Sequence, residues 1–388
     1  MNGVANLSLA AESRVGKIAF VDLKAQQRRI RDKVEKRLMA VLDHGRYIAG
    51  PEITELEEKL AARTGAKAAI ACASGTAALI IPLLARGIGP GDAVFAPAFT
   101  YNATANAILL SGATPVFVDI DPTTFNMDPA DLERRITQVR EQGKLTPRAV
   151  VPVDLFGSPA DYRELMKIAG REDLFVLADG AQSFGGSLDN RWVGDLAPVT
   201  ATSFFPGKAL GAYGDAGAIL SQDPDDRECW ESIRWHGTDE DRKNSVRVGF
   251  NARMDSFQAA VLLEKMDIFD EELAARHRVA SAYNERLSGV AKPQAHVGGA
   301  ISGYGYYAMR IENRDHVVST VKEMGVPTAV YYSTPLHQMQ AFEAYAPEGG
   351  LPVTEQVAAD ILSLPMHPYL TPDQVDYICD AVVAASRN

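Results

Sequence analysis

Cysteine is scarce in this chain: Cys72, Cys229 and Cys379 are far apart and odd in number. Such spacing provides neither a disulfide framework nor the paired thiols of a zinc knuckle. Histidine occurs seven times without a His-Glu-x-x-His arrangement, so no metal site is expected. Basic charge is short as well. Lys and Arg number 39 against 50 Asp and Glu, a formal net charge of −11. This argues against nucleic-acid or anionic-membrane partners, which need a basic face. A phosphorylated small molecule remains open, since a few cations in a pocket suffice.

No uninterrupted apolar run reaches membrane length. The uncharged stretch 68–85 comes nearest, but Ser74, Gly75, Thr76 and Pro82 interrupt it. A strand, a turn and a helix account for it better. The opening residues MNGVANLSLAAESRVGK lack a basic start, and their apolar run is too short for a signal peptide. Residues 1–16 read as a loose leader, and the protein is expected to be cytoplasmic.

What is present is ordinary for a globular enzyme: 46% hydrophobic and 23% charged residues over a length sufficient for two domains around one site. A helical pattern covers 22–42, Gly45 to Pro51 breaks it, and Ile53, Leu56 and Leu60 mark the next helix. Seven short β-rich runs follow, at 68–72, 93–96, 115–120, 149–153, 174–178, 200–205 and 217–220. Several are almost wholly apolar, as strands covered on both faces of a parallel sheet should be. Helical patterns at 76–86, 103–110 and 162–169 separate them, an α/β layout with crossover helices. A long, kinked helical segment runs from Asp255 toward Leu287. Beyond it, strand-like 306–311 and helical 317–324 and 372–384 indicate a smaller α+β unit. The boundary falls inside the long helix, giving a large domain over 17–265 and a small one over 266–388.

Four segments carry candidate chemistry. Ser203-Phe204-Phe205-Pro206-Gly207-Lys208 ends a β-rich run in a turn that presents a lysine. Lysine forms a Schiff base with an aldehyde cofactor when its pKa is lowered, and is otherwise a surface loop residue. A phosphate loop is excluded, because Thr202 and Ala209 stand where a glycine and a Ser or Thr are required. Asp179 closes an apolar run just before Gly180-Ala181-Gln182. An acid there either pairs with a pyridinium nitrogen or caps the next helix. Ser74-Gly75-Thr76 opens a helix after a strand, which suits a bound phosphate or a plain N-cap. Finally, Thr100-Tyr101 follows another strand, where an aromatic stacks on a flat ring or packs in the core.

Taken in order, these residues resemble the DegT-type sugar-nucleotide aminotransferases, which have the aspartate aminotransferase-like fold (fold type I) of pyridoxal-phosphate enzymes. The likeness runs from Phe20-Val21-Asp22-Leu23 to Leu364-Pro365-Met366-His367-Pro368. It is most specific at Ser203 to Lys208, at Gly211-Ala212-Tyr213-Gly214-Asp215 and at Gly249-Phe250-Asn251-Ala252-Arg253-Met254-Asp255. The resemblance implies a large domain with a mostly parallel seven-stranded sheet and pyridoxal 5′-phosphate as cofactor. Lys208 would bond the cofactor aldehyde and move the proton, with Asp179 on the pyridine nitrogen. Gln182 would contact the 3-hydroxyl side and Tyr101 would stack on the ring. Gly75, Thr76 and Ser203 would contact the phosphate. Asn251 would reach that phosphate from a neighbouring subunit, implying a homodimer with shared active sites.

The implied reaction moves an amino group from glutamate to a keto-sugar nucleotide. Relatives that dehydrate sugars carry histidine at the lysine position, so Lys208 favours transfer. The Asn-Ala-Arg-Met-Asp form around Asn251 is most similar to members that aminate UDP-linked 2-acetamido-3-keto-glucuronic acid for bacterial surface polysaccharides such as lipopolysaccharide. Arg253 would then hold the uronate carboxylate, a structural ion pair being the alternative. Tyr331, Tyr332 and His337 would also face the substrate. Departures from the family pattern point to other sugars. Tyr331-Tyr332-Ser333 replaces His-Tyr-Pro, and the loop from Gly237 to Ser245 is acidic and lacks a usual tyrosine-histidine pair. A 4-keto sugar or keto-inositol acceptor is therefore the second reading, and a non-enzymatic regulator on the same fold the third. Gly180 stands where alanine is usual, a change expected to be harmless.

Overall fold

The computed structural model describes residues 15–387, so most of the expected leader 1–16 lies outside the described residues. Helix α1 (Leu23–His44) starts where the Asp22 carboxylate accepts the Ala25 N–H at 2.9 Å, and it stops at Gly45 in the left-handed region. Helix α2 (Pro51–Thr64) begins on a proline, whose missing N–H costs nothing there, and buries Ile53, Leu56 and Leu60.

The chain then alternates strand and helix: β1 (Ala68–Cys72), α3 (Gly75–Ala85), β2 (Asp92–Pro97), α4 (Ala103–Leu110), β3 (Thr114–Val118), α5 (Pro129–Gln142), β4 (Thr146–Val150), α6 (Tyr162–Glu172), β5 (Phe175–Asp179), β6 (Val199–Ser203) and β7 (Gly217–Ser221). One seven-stranded sheet results, in the order β1-β7-β6-β5-β4-β2-β3. Only β7 runs antiparallel to its neighbours. Alternate side chains pack on opposite faces. Ile70 and Cys72 join α3 on one side, whereas Ala69 and Ala71 meet Leu56 and Leu60 on the other. Strand β4 sits earlier than the apolar run 149–153, because Thr146 and Pro147 pair with β2 although they are not hydrophobic.

Helices α7 (Asp226–Arg234), α8 (Ser256–Met266) and α9 (Phe269–Leu287) follow, the last two dividing the expected long segment at Asp267 and Ile268. A second core gathers Tyr283, Leu287, Met309, Val317 and Ile378 with Ile18 from the chain's start. It is built on a three-stranded antiparallel sheet of β8 (Lys292–Pro293), β9 (Tyr307–Arg310) and β10 (Ile361–Leu364). Helices α10 (Arg314–Glu323), α11 (Pro352–Asp360) and α12 (Pro372–Ser386) complete this part. Among the described residues no helix is long and apolar enough to cross a membrane.

Candidate active site

The carboxyl ends of β1, β2, β5 and β6 open on one side of the sheet, where loops can converge on a crevice. A cavity of about 380 Å³ lies there, bounded across the opening by Tyr306, Tyr331 and Tyr332.

Strand β5 delivers Asp179 to its floor. The carboxylate accepts the Thr104 hydroxyl at 2.8 Å and the Ala181 N–H at 3.2 Å. Burial raises the Asp179 pKa, while these two hydrogen bonds and the charge of Lys208 pull it back. Thr104 sits in the first turn of α4 and had no assigned role in the sequence reading. The only sequence sign is its spacing of one turn from Thr100, which places both hydroxyls on one side.

Lys208 follows a tight turn closed by its own N–H on the Phe205 carbonyl at 2.9 Å. Burial pulls its amine down to about 8, and the Asp179 carboxylate pushes the other way. Its Nζ lies 5.8 Å from the centre of the Tyr306 ring. Gln182 is fixed at both ends of its amide. Its oxygen accepts the Phe156 N–H at 2.7 Å, and its nitrogen donates to the Tyr332 hydroxyl at 3.2 Å.

At the other end, Ser74 caps α3 by accepting the Ala77 N–H at 3.2 Å. Helix geometry leaves the N–H groups of Gly75 and Thr76 without an intrahelical carbonyl. Gly75 is required: a Cβ there would stand 2.7 Å from the Ser203 Cβ. The turn and the end of β6 therefore press together beside these N–H groups. Tyr101 is 57% exposed over the opening, its ring 6.3 Å from that of Tyr332.

The structure thus brings Gly75, Thr76, Tyr101, Asp179, Gln182, Ser203, Lys208, Tyr331 and Tyr332 to one cavity. Asn251, Arg253 and His337 are not among its walls. Asn251 is exposed, and its side-chain oxygen accepts the Arg253 Nε–H at 2.9 Å. Arg253 stacks 4.3 Å from the centre of the Trp235 ring, and among the described residues no carboxylate pairs with it. The ion-pair alternative for Arg253 is therefore not formed among the described residues. His337, expected against the substrate, is buried instead, its Nε2 3.0 Å from Glu355. The short helical turn that carries it is held to the Ala98 carbonyl through Leu336, which fixes the imidazole away from the cavity.

These residues fit pyridoxal phosphate. A buried carboxylate suits a ring nitrogen, an amine of lowered pKa suits an aldehyde, and a helix start with free N–H groups suits a phosphate. Among the described residues no group of three His, Cys, Asp or Glu is placed to hold a metal ion.

The model of the DegT/DnrJ/EryC1/StrS aminotransferase family matches residues 28–383. A UDP-2-acetamido-2-deoxy-3-oxo-D-glucuronate aminotransferase from Pseudomonas aeruginosa is 46% identical over 367 residues, 94% of this chain and 99% of that protein. The crystal structure of an aminotransferase of this family from Brucella abortus superposes with a TM-score of 0.93 at 45% identity, covering 96% of this chain and all of that one. NtdA from Bacillus subtilis, crystallised with bound cofactor PMP, gives a TM-score of 0.87 at 29% identity over 96% of this chain and 86% of its own.

Proposed function

Because the chain belongs to the DegT/DnrJ/EryC1/StrS aminotransferase family, we propose that it carries an amino group from glutamate to C3 of a UDP-linked 2-acetamido-3-keto uronate. It is a pyridoxal-phosphate-dependent aminotransferase of keto-sugar nucleotides. One observation carries the chemistry: Lys208 and Asp179, from separate segments, share one cavity and act on each other's charge. Support for the sugar is the likeness to the Pseudomonas enzyme along almost the whole of both chains, which also suggests a role in surface-polysaccharide assembly.

When bound, pyridoxal phosphate supplies an aldehyde that captures amines and a ring that withdraws electrons. Asp179, oriented by Thr104, would set its carboxylate toward the ring nitrogen. The N–H groups of Gly75 and Thr76 and the Ser203 hydroxyl would hold the phosphate, Tyr101 would cover the ring, and Gln182 would border its hydroxyl side. An amine with a pKa near 8 is neutral often enough at neutral pH to act as a base. Lys208 Nζ therefore takes the proton from the α-carbon of glutamate, and in the second half-reaction it returns one to C3 of the sugar. Tyr331 and Tyr332, which bound the opening, would face the sugar.

Asn251 and Arg253 are assigned to the partner's cleft in a homodimer, Asn251 toward the phosphate and Arg253 toward the uronate carboxylate. The cleft then lies between a large domain ending near residue 265 and the smaller one after it. Three free cysteines suit a reducing compartment, and the enzyme is placed in the cytoplasm.

Mixing tests this reading. Purified protein should be yellow, and glutamate should bleach it. Among 3-keto and 4-keto nucleotide sugars offered to the bleached form, the UDP-linked 3-keto uronate should restore the colour fastest. Restoration by a 4-keto sugar alone would move the site of amination, and a protein that never takes up the cofactor would end the proposal.

A further inference from the structure

Beside the exposed Asn251 lies a second hollow of about 840 Å³, larger than the cavity with the lysine. Trp235, Arg242 and Arg247 line it, along with several acids. In a chain where acids outnumber bases, Arg242, Arg247 and Arg253 all lack a carboxylate partner among the described residues. The acids of the hollow, Asp225, Glu228, Glu231, Asp239 and Glu240, outnumber its arginines, so the guanidinium left open to an anion from elsewhere is that of Arg253, which lies outside those walls.

Trp235 organises two of them. It follows α7 directly, and its backbone pairs antiparallel with Asn251. Arg253, two residues beyond Asn251, falls on the same face of that pairing as the indole. The guanidinium carbons of Arg242 and Arg253 stand 3.6 Å and 4.3 Å from one ring centre. Arg242 reaches back from a loop that closes on itself, with the Asp239 N–H donating to the Asn244 carbonyl at 2.9 Å and the Val246 N–H to the Gly237 carbonyl at 2.8 Å. Gly237 has a positive φ, and a side chain there would run into the Arg247 carbonyl, so the closure depends on glycine.

Arg253 is thereby held twice, by the indole on its flat face and by Asn251 on its Nε–H. Among the described residues its two terminal nitrogens stay free, in the fork that a carboxylate accepts. Holding the side chain beforehand lowers the ordering cost of binding. We propose that Trp235 is a positioning residue that sets Arg253 for the sugar's negative group, with Arg242 packed on the same indole. This rests on the reading that Arg253 faces the substrate in the partner's cleft. Specificity for an acidic sugar then comes from Arg253 together with the indole that holds it rather than from Arg253 alone.

Binding calorimetry on the holoenzyme tests it without turnover. The probes are UDP-2-acetamido-glucuronic acid and UDP-N-acetylglucosamine, which lack the keto group and differ in the carboxylate. The wild type should bind the acidic probe more tightly. Trp235→Leu should weaken the acidic probe about fivefold to tenfold and the neutral one less than about twofold. Trp235→Phe, which keeps a flat ring, should recover most of the loss. Equal weakening of both probes by Trp235→Leu, or no weakening, overturns the proposal. So does a wild type indifferent to the carboxylate, an outcome that leaves glutamate bleaching and the choice of keto sugar to be judged separately on the same preparations. Bleaching by glutamate in each variant also verifies that it has folded around its cofactor.

Discussion

The Thr104 hydroxyl donates to the Asp179 carboxylate at 2.8 Å, tying the first turn of α4 to the end of β5. Burial alone would push that carboxyl toward its neutral form, and this bond is the largest influence holding it charged. Thr104→Val should therefore let Asp179 hold its proton more readily. Hydrogen bonds to charged groups contribute enough that kcat/KM should fall about tenfold or more, with Thr104→Ser restoring most of it. Steady-state kinetics on the three proteins check this.

Lys208→Ala removes both the group that bonds the aldehyde and the base. Turnover should drop by roughly a thousandfold or more. Borohydride treatment followed by mass spectrometry gives an independent reading: the wild-type chain should gain the cofactor's mass at Lys208 and the variant should not.

The lowered pKa of Lys208 sets a pH dependence for cofactor uptake. Only the neutral amine attacks an aldehyde, and a pKa of about 8 instead of 10.5 leaves far more of it neutral at pH 7. The rate at which apoenzyme takes up pyridoxal should rise about tenfold per pH unit below 8 and level off above it. Asp179 pulls the lysine pKa upward, so Asp179→Asn should move the plateau to lower pH. Stopped-flow absorbance across pH 6 to 10 measures both, and a rate still climbing at pH 10 would contradict an amine depressed by burial.

Asn251 stands exposed and outside its own chain's cavity. If it completes the partner's site, Asn251→Ala and Lys208→Ala should each be nearly inactive alone but complement when unfolded and refolded together. Random pairing gives about a quarter of wild-type activity, since half the dimers then carry one intact site. Complementation should be absent if both residues serve the same chain's site.

Gly180, where alanine is usual in the family, has little room for a side chain in this fold. A Cβ there would stand 2.9 Å from Thr200 Cγ2 and 3.1 Å from Val193 Cγ1, both buried. Gly180→Ala should destabilise the fold by about 1–3 kcal/mol through overpacking. Thr200→Ser, which removes the obstructing methyl, should recover part of the loss in the double variant. Thermal unfolding of the three variants, analysed as a double-mutant cycle, measures the coupling.

Much of the fold is legible from hydrophobic patterning. Each of the seven runs overlaps a strand of the sheet, and the nearly apolar ones, such as β1, announce burial on both faces without tertiary knowledge, whereas β4 opens on Thr-Pro-Arg and β6 carries two threonines. Strand β10 went unread, since four residues following directly on a helix carry too little pattern to stand out. At the site, Ser203 to Lys208 and the segment ending in Asp179 are each visible as strand ends. Thr104 and the Trp235 stack are not, because their meaning lies in partners distant along the chain.

By itself the sequence determined the reactive groups, the lysine, the acid and the glycine beside the phosphate turn, because chemistry and backbone freedom belong to residue types. Only the tertiary structure decided which of them meet. The parallel pairing of β5 with β6 sets Asp179 opposite Ala201, and so brings the acid near the turn that carries Lys208. It likewise buried His337 against Glu355 and left Arg253 on an indole, with no carboxylate partner among the described residues. Burial, pKa and pairing depend on distances between segments remote in the chain, and these arise only when the sheet and its covering helices pack.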